Sequence, residues 1–159
     1  RFKDLYLSGG VYLGGTGAVN KLDDYETGTF TPKFTHMNGA EDQGSNYTIR
    51  QGRYVKVGKL VTFALDMQAT LPTTTVGYVS VGGLPFNVAT DNESLYNPVS
   101  LRDCNAVTTP SGSILNPFVL AGSTSIYFQN RSLTANGMSA VTSWNSSGRL
   151  NIHGYYYVA

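Results

Sequence analysis

Residues 53–67 read Arg53-Tyr54-Val55-Lys56-Val57-Gly58-Lys59-Leu60-Val61-Thr62-Phe63-Ala64-Leu65-Asp66-Met67. Two β-prone runs flank a Gly-Lys pair, the pattern of a two-residue type II′ hairpin. In the second run Val61, Phe63 and Leu65 alternate with Thr62, Ala64 and Asp66, as in a strand with one buried face. Similar runs occupy 29–31, 76–81, 98–102, 118–120, 125–129, 149–153 and 155–158, with Gly, Asn, Ser and Pro between them. Seven to nine short strands with regular turn signals predict an all-β fold, an antiparallel sandwich or jelly roll. Leu84-Pro85-Phe86 reads as an extended segment leaving a sheet edge, and no amphipathic helix is predicted. Tyr155, Tyr156 and Tyr157 cannot share one face of a strand, so at least one points outward.

Composition agrees with that reading. The 159 residues include 17 Thr, 14 Ser, 12 Asn, 18 Gly and 11 Tyr. Charged residues make up 13%, about half the roughly 25% usual in soluble domains. Eleven Lys and Arg against 10 Asp and Glu, with no basic block, predict no nucleic-acid partner. The absence of an 18-residue apolar run predicts no membrane insertion by a helix. A single cysteine and two histidines supply no Cys/His zinc set, so neither metal nor cofactor is expected. The chain opens Arg1-Phe2-Lys3-Asp4, without an initiator Met, and is expected to be a piece of a longer protein.

The first residues repeat with a period of six: Leu5-Tyr6-Leu7-Ser8-Gly9-Gly10, then Val11-Tyr12-Leu13-Gly14-Gly15-Thr16. Units this short cannot bury their own apolar face. They read as the end of a multi-chain fibrous shaft or, alternatively, as a hairpin turning at Gly9-Gly10. Residues 1–26 are therefore expected to be shaft end and connector, and 27–159 the sandwich.

Catalytic signals are sparse. Asp23, Asp24 and Glu26 form the dense carboxylate cluster, and Asp24 and Glu26 could share a face, as a glycosidase pair must. Their connector is expected to be solvated, which leaves neither acid desolvated. No GxSxG elbow appears. His36 is expected in a loop, His153 as a hydrogen-bonded structural residue, and Cys104 as a small packed one. Sugar binding needs aromatic faces among short polar side chains. Trp144, in Ser143-Trp144-Asn145-Ser146-Ser147, is the leading candidate, with Asn145, Tyr47, Tyr96 and Asn97 beside it. The alternative role for Trp144 is to plug the end of the sandwich.

The stretch Tyr12-Leu13-Gly14-Gly15-Thr16-Gly17-Ala18-Val19-Asn20-Lys21-Leu22-Asp23-Asp24-Tyr25-Glu26-Thr27-Gly28-Thr29-Phe30-Thr31-Pro32 resembles the linker of bacteriophage tail-fibre and tailspike proteins. In that family a glycine-rich shaft ends in such a segment before a terminal β-domain. Gly52-Arg53-Tyr54-Val55-Lys56-Val57-Gly58-Lys59-Leu60-Val61 and Val81-Gly82-Gly83-Leu84-Pro85-Phe86 resemble the family's GxYxKxGxxV strand pair and GLPF turn. The matches cover about a third of the chain, and residues 87–148 align with nothing. The resemblance implies a homotrimeric tip on the virion that touches the host surface, in a family that binds surface glycans or outer-membrane receptors and in part carries depolymerase chemistry in a separate domain. The expectation for this chain is receptor binding, with a glycan as the expected ligand, without enzymatic activity. Leu5, Leu7, Val11 and Leu13 would then face the trimer axis. A structural trimerisation or decoration domain is the second expectation, and a polysaccharide hydrolase the third.

Overall fold

A computed structural model of the chain describes residues 3–22, 24–36, 46–71, 78–91 and 96–159. The strands are β1 (Val11–Tyr12), β2 (Lys21–Leu22), β3 (Tyr25–Phe30), β4 (Lys33–His36), β5 (Asn46–Val57) and β6 (Leu60–Thr70). They continue as β7 (Val79–Gly82), β8 (Tyr96–Cys104), β9 (Ser113–Leu120), β10 (Ser125–Ser132), β11 (Met138–Ala140) and β12 (Ser147–Tyr157). The only helical turn among the described residues is the three-residue Ala18–Asn20.

The fold is all-β and antiparallel, as expected. Its ladder runs β3-β5-β6-β12-β8-β9-β10-β7-β4, with β11 on β10. β8 serves two neighbours: Val99 to Cys104 pair with β12, and Tyr96 to Pro98 pair with β9. The ladder's two ends, β3 and β4, are consecutive in sequence and joined only by Thr31-Pro32. The sheet therefore folds back on itself in the manner of a β-sandwich, and its inward faces share one core.

The β5–β6 hairpin has the predicted turn. Gly58 has φ +56° while no non-glycine residue among the described ones has positive φ, so Lys59 does not, which separates type II′ from type I′. Val61, Phe63, Leu65 and Met67 of β6 all point inward and are buried. Leu150, Ile152 and Tyr156 of β12 join them, as do Val79 and Val81 of β7 and Ile126 and Phe128 of β10. Each such side chain contributes roughly 1.5–3 kcal/mol by leaving water. Tyr156 is fully buried while Tyr155 and Tyr157 point out.

Aromatic rings on the inward face lie across glycines of the neighbouring strand. Tyr54 is paired with Gly28, Phe30 with Gly52 and Phe63 with Gly154. A Cβ on any of these glycines would fall within 3 Å of the ring opposite. Gly154 thus lets β12 run unbroken through what reads in sequence as two strands.

The three stretches that carry the tail-fibre resemblance pack together. The Lys56 ammonium pairs with the Asp24 carboxylate, and the Gly58 N–H donates to the Asp24 carbonyl at 2.7 Å. Tyr54 donates its hydroxyl to Glu26, which raises the phenol pKa above its ordinary value. Phe86, from the GLPF turn, meets the Tyr54 ring edge-on at 5.3 Å and lies 5.7 Å from the Lys56 ammonium. Its N–H donates to the buried Tyr156 hydroxyl at 3.3 Å. Gly83 passes so close to the chain that a Cβ would sit 2.6 Å from the Thr31 carbonyl oxygen. Asp24 and Glu26 do share a face, as expected, but they are engaged in holding the connector to the sheet.

Other expectations are corrected. β3 begins at Tyr25, so it crosses the expected boundary between residues 26 and 27. His36 ends β4 and is buried rather than lying in a loop. Gly9-Gly10 turns no hairpin; Val11 and Tyr12 pair instead with Leu22 and Lys21. The expected run at 76–81 begins outside the described residues and is β7 from Val79 onward.

Candidate functional site

Strand alternation gives the β3-β5-β6-β12 sheet an outward face made of cross-strand rows. One row is Thr29, Arg53, Ala64, His153 and Ser100; the next is Gln51, Asp66, Asn151 and Asp103. Between them lies a depression of about 340 Å³ lined by Thr29, Gln51, Arg53, Ala64, Asp66, Asn151 and His153, with parts of Gly52 and Leu65 at its floor. Ala64 has no side chain beyond Cβ and leaves the space between Arg53 and His153 open.

One side of the depression is tied together by polar contacts. Arg149 grips Asp66 through two parallel bonds, Nε to Oδ1 at 2.9 Å and Nη2 to Oδ2 at 2.7 Å. That grip holds the Asp66 carboxyl below its ordinary pKa, with a further hydrogen bond from Asn151 acting the same way. Asn151 Oδ1 lies 3.2 Å from His153 Nε2; if the Asn151 amide donates to Asp66, its oxygen takes the histidine proton. Arg53 is exposed, and its guanidinium makes no ion pair or hydrogen bond among the described residues. His153 is exposed on this face and hydrogen-bonded to Asn151. Along the same face stand the rows Thr27, Val55, Thr62, Tyr155 and Tyr25, Val57, Leu60, Tyr157, which place exposed tyrosines beside the polar pocket.

A glycosidase needs one carboxyl with a raised pKa, whereas Asp66, the one carboxylate lining this pocket among the described residues, is held below its ordinary value. A second, wider depression of about 930 Å³ lies by the β10–β11 loop, rimmed by Ile114, Arg131, Leu133 and Met138.

None of the residues singled out for sugar binding is among the described residues that line the depression on the β3-β5-β6-β12 face. Trp144 is 3% exposed and is the plug of the core: its ring packs edge-on against Phe34 at 4.8 Å and Phe128 at 5.5 Å. A ring enclosed on both sides offers no face to a sugar. Tyr47 stacks on Phe34 at 5.9 Å, its hydroxyl accepts the Phe34 N–H at 2.9 Å, and Arg50 covers its ring at 4.2 Å. Asn145 fastens the 105–108 loop, accepting from Thr108 and donating to the Asn105 carbonyl, each at 2.8 Å. Asn97 is buried. Tyr96 starts β8, and its side chain lies outside the described residues.

Leu5, Leu7, Val11 and Leu13 are 78%, 52%, 38% and 59% exposed in the single chain. Cys104 is half-buried, and burial pushes its thiol up to about 11.

The sequence reading missed Arg53, Gln51, Asn151 and Thr29 because they lie on three strands up to 122 positions apart. One signal was available: counting outward from the Gly58-Lys59 turn sets Arg53 opposite Ala64 and Gln51 opposite Asp66. No protein-family model matches the chain, and no curated protein matches it.

Proposed function

We propose that this chain is the distal head of a trimeric bacteriophage tail fibre or tailspike, and that it binds a host-surface glycan without turning it over. The observation that carries the binding role is the outward polar depression, with an Arg53 unpaired among the described residues and exposed tyrosines beside it. The tail-fibre assignment draws support from the three family-like stretches, which pack into one unit around Lys56 and Tyr54. The carboxylates of a hydrolase reading are otherwise engaged: Asp24 with Lys56, Glu26 with Tyr54, and Asp66 with Arg149.

The test is a glycan array probed with the whole chain and with Ala64→Phe. Ala64 points outward, so the larger ring fills the depression and leaves the core alone. Array signal lost in this variant, with its melting temperature unchanged, supports the reading; an unchanged signal places recognition elsewhere.

A purely structural trimerisation role is the second reading, favoured by the uncovered Leu5, Leu7, Val11 and Leu13. Light scattering should give three times the 17.1 kDa chain mass. A trimer that binds nothing on the array favours the structural role, and a monomer defeats the trimeric assignment.

A further inference from the structure

We infer that the depression on the β3-β5-β6-β12 face selects an acidic sugar, with the Arg53 guanidinium receiving the carboxylate of a uronate-type residue. The inference rests on the glycan-binding reading and narrows it to a chemical class.

Charge decides the class. The depression and its border carry three guanidinium groups, Arg53, Arg102 and Arg149, against two carboxylates, Asp66 and Asp103. Arg149 is spent on Asp66, which removes the pocket's own anion as a competitor for Arg53. Arg53 lies across Ala64 from His153 and lines the depression, with its guanidinium unpaired among the described residues. A carboxylate matches the guanidinium fork with two parallel hydrogen bonds, as a phosphate also can, and the phosphorylated glycans of the array below separate the two.

The remaining lining supplies what a sugar ring needs. Gln51 and Asn151 offer carboxamides and Thr29 a hydroxyl, while the ionised Asp66 accepts from sugar hydroxyls. Tyr155 is the next outward residue after His153, about 7 Å along the strand, and presents an exposed ring for an apolar sugar face. The volume of about 340 Å³ lies at the small end of the roughly 300–1,000 Å³ range of ligand sites. That suits a terminal sugar or a short stretch of a chain better than a long oligosaccharide.

The experiment uses an array of oligosaccharides containing glucuronate, galacturonate or mannuronate, each beside its carboxyl-reduced counterpart, with neutral and phosphorylated glycans included. The expected result is binding confined to carboxylate forms, weakened about 10- to 100-fold by Arg53→Gln and partly retained in Arg53→Lys. Thermal melts of the variants should match the parent, because Arg53 is exposed. Equal binding of carboxyl-reduced forms, preference for phosphorylated glycans, or indifference to Arg53→Gln overturns this inference while glycan binding stands. Silence across the whole array overturns both.

Discussion

The ring of Phe30 rests on Gly52: a Cβ added to that glycine would lie 2.5–2.6 Å from three atoms of the ring's far edge. The two residues are directly paired between β3 and β5. In an open strand, Gly→Ala gains roughly 0.5–1 kcal/mol from backbone entropy. Here the methyl must displace a ring that also packs edge-on against Phe63 at 6.5 Å. Gly52→Ala should therefore destabilise by about 1–2 kcal/mol, measured by urea unfolding. In a Phe30→Leu background the penalty should shrink, because the obstructing ring edge is gone. An additive double mutant would contradict the ring-on-glycine account.

The Asp24–Lys56 pair is lopsided: the lysine side chain is 11% exposed and the aspartate 47%. Removing the aspartate strands a buried ammonium, whereas removing the lysine returns a half-exposed carboxylate to water. Asp24→Ala should cost about 2–3 kcal/mol and Lys56→Met under about 1 kcal/mol. The double variant should regain most of the loss. Equal single losses in chemical denaturation would show that the ammonium has another partner.

Stability should depend on acid through Asp66. Its carboxyl is held below the ordinary value in the fold, chiefly by Arg149, so the unfolded chain binds the proton more readily. The stabilisation is complete above the unfolded value near pH 4 and is lost as pH falls through the lower folded value. Asp66→Asn should lose about 1 kcal/mol at pH 7, a figure reduced for the 39% exposure of Arg149. That difference from the parent should close below pH 4, and unfolding curves across pH 2–7 would show a constant gap if the ion pair contributed nothing.

Cys104 should be a slow thiol. With its pKa near 11, the thiolate fraction at pH 8 is roughly 200-fold below that of a free cysteine. Labelling with a thiol reagent at pH 8 should be correspondingly slow in the folded chain and fast in urea. Equal rates would mean that the thiol is not desolvated.

The hairpin was legible because Gly58 stands between two runs whose alternation is long enough to name the buried face. β4 was not, because Phe34 is the lone large apolar residue in its four positions and Pro32 precedes it closely. Of the two roles open to Trp144, the plug of the sandwich end is the one found, for a physical reason. Its neighbours Ser143 and Asn145 are turn formers, yet the irregular segment folds over the end of the core and carries the indole between Phe34 and Phe128. Arg53 and His153 belong to runs whose alternation says only that they point outward. Their common row follows from the register of β5 on β6 and of β6 on β12, and only the first of these can be counted from a turn.

The way the chain joins the sheet also has a mechanical meaning. β3 is held to β5 over six consecutive pairs, from Tyr25–Val57 to Phe30–Gly52, with the Asp24–Lys56 bond just ahead of the first. Tension applied through residue 24 along the strand axis loads that whole ladder in shear. The rungs then share the force and must yield together instead of unzipping one after another. A tug on the segment before β3 is thereby transmitted to the sheet as a rigid pull.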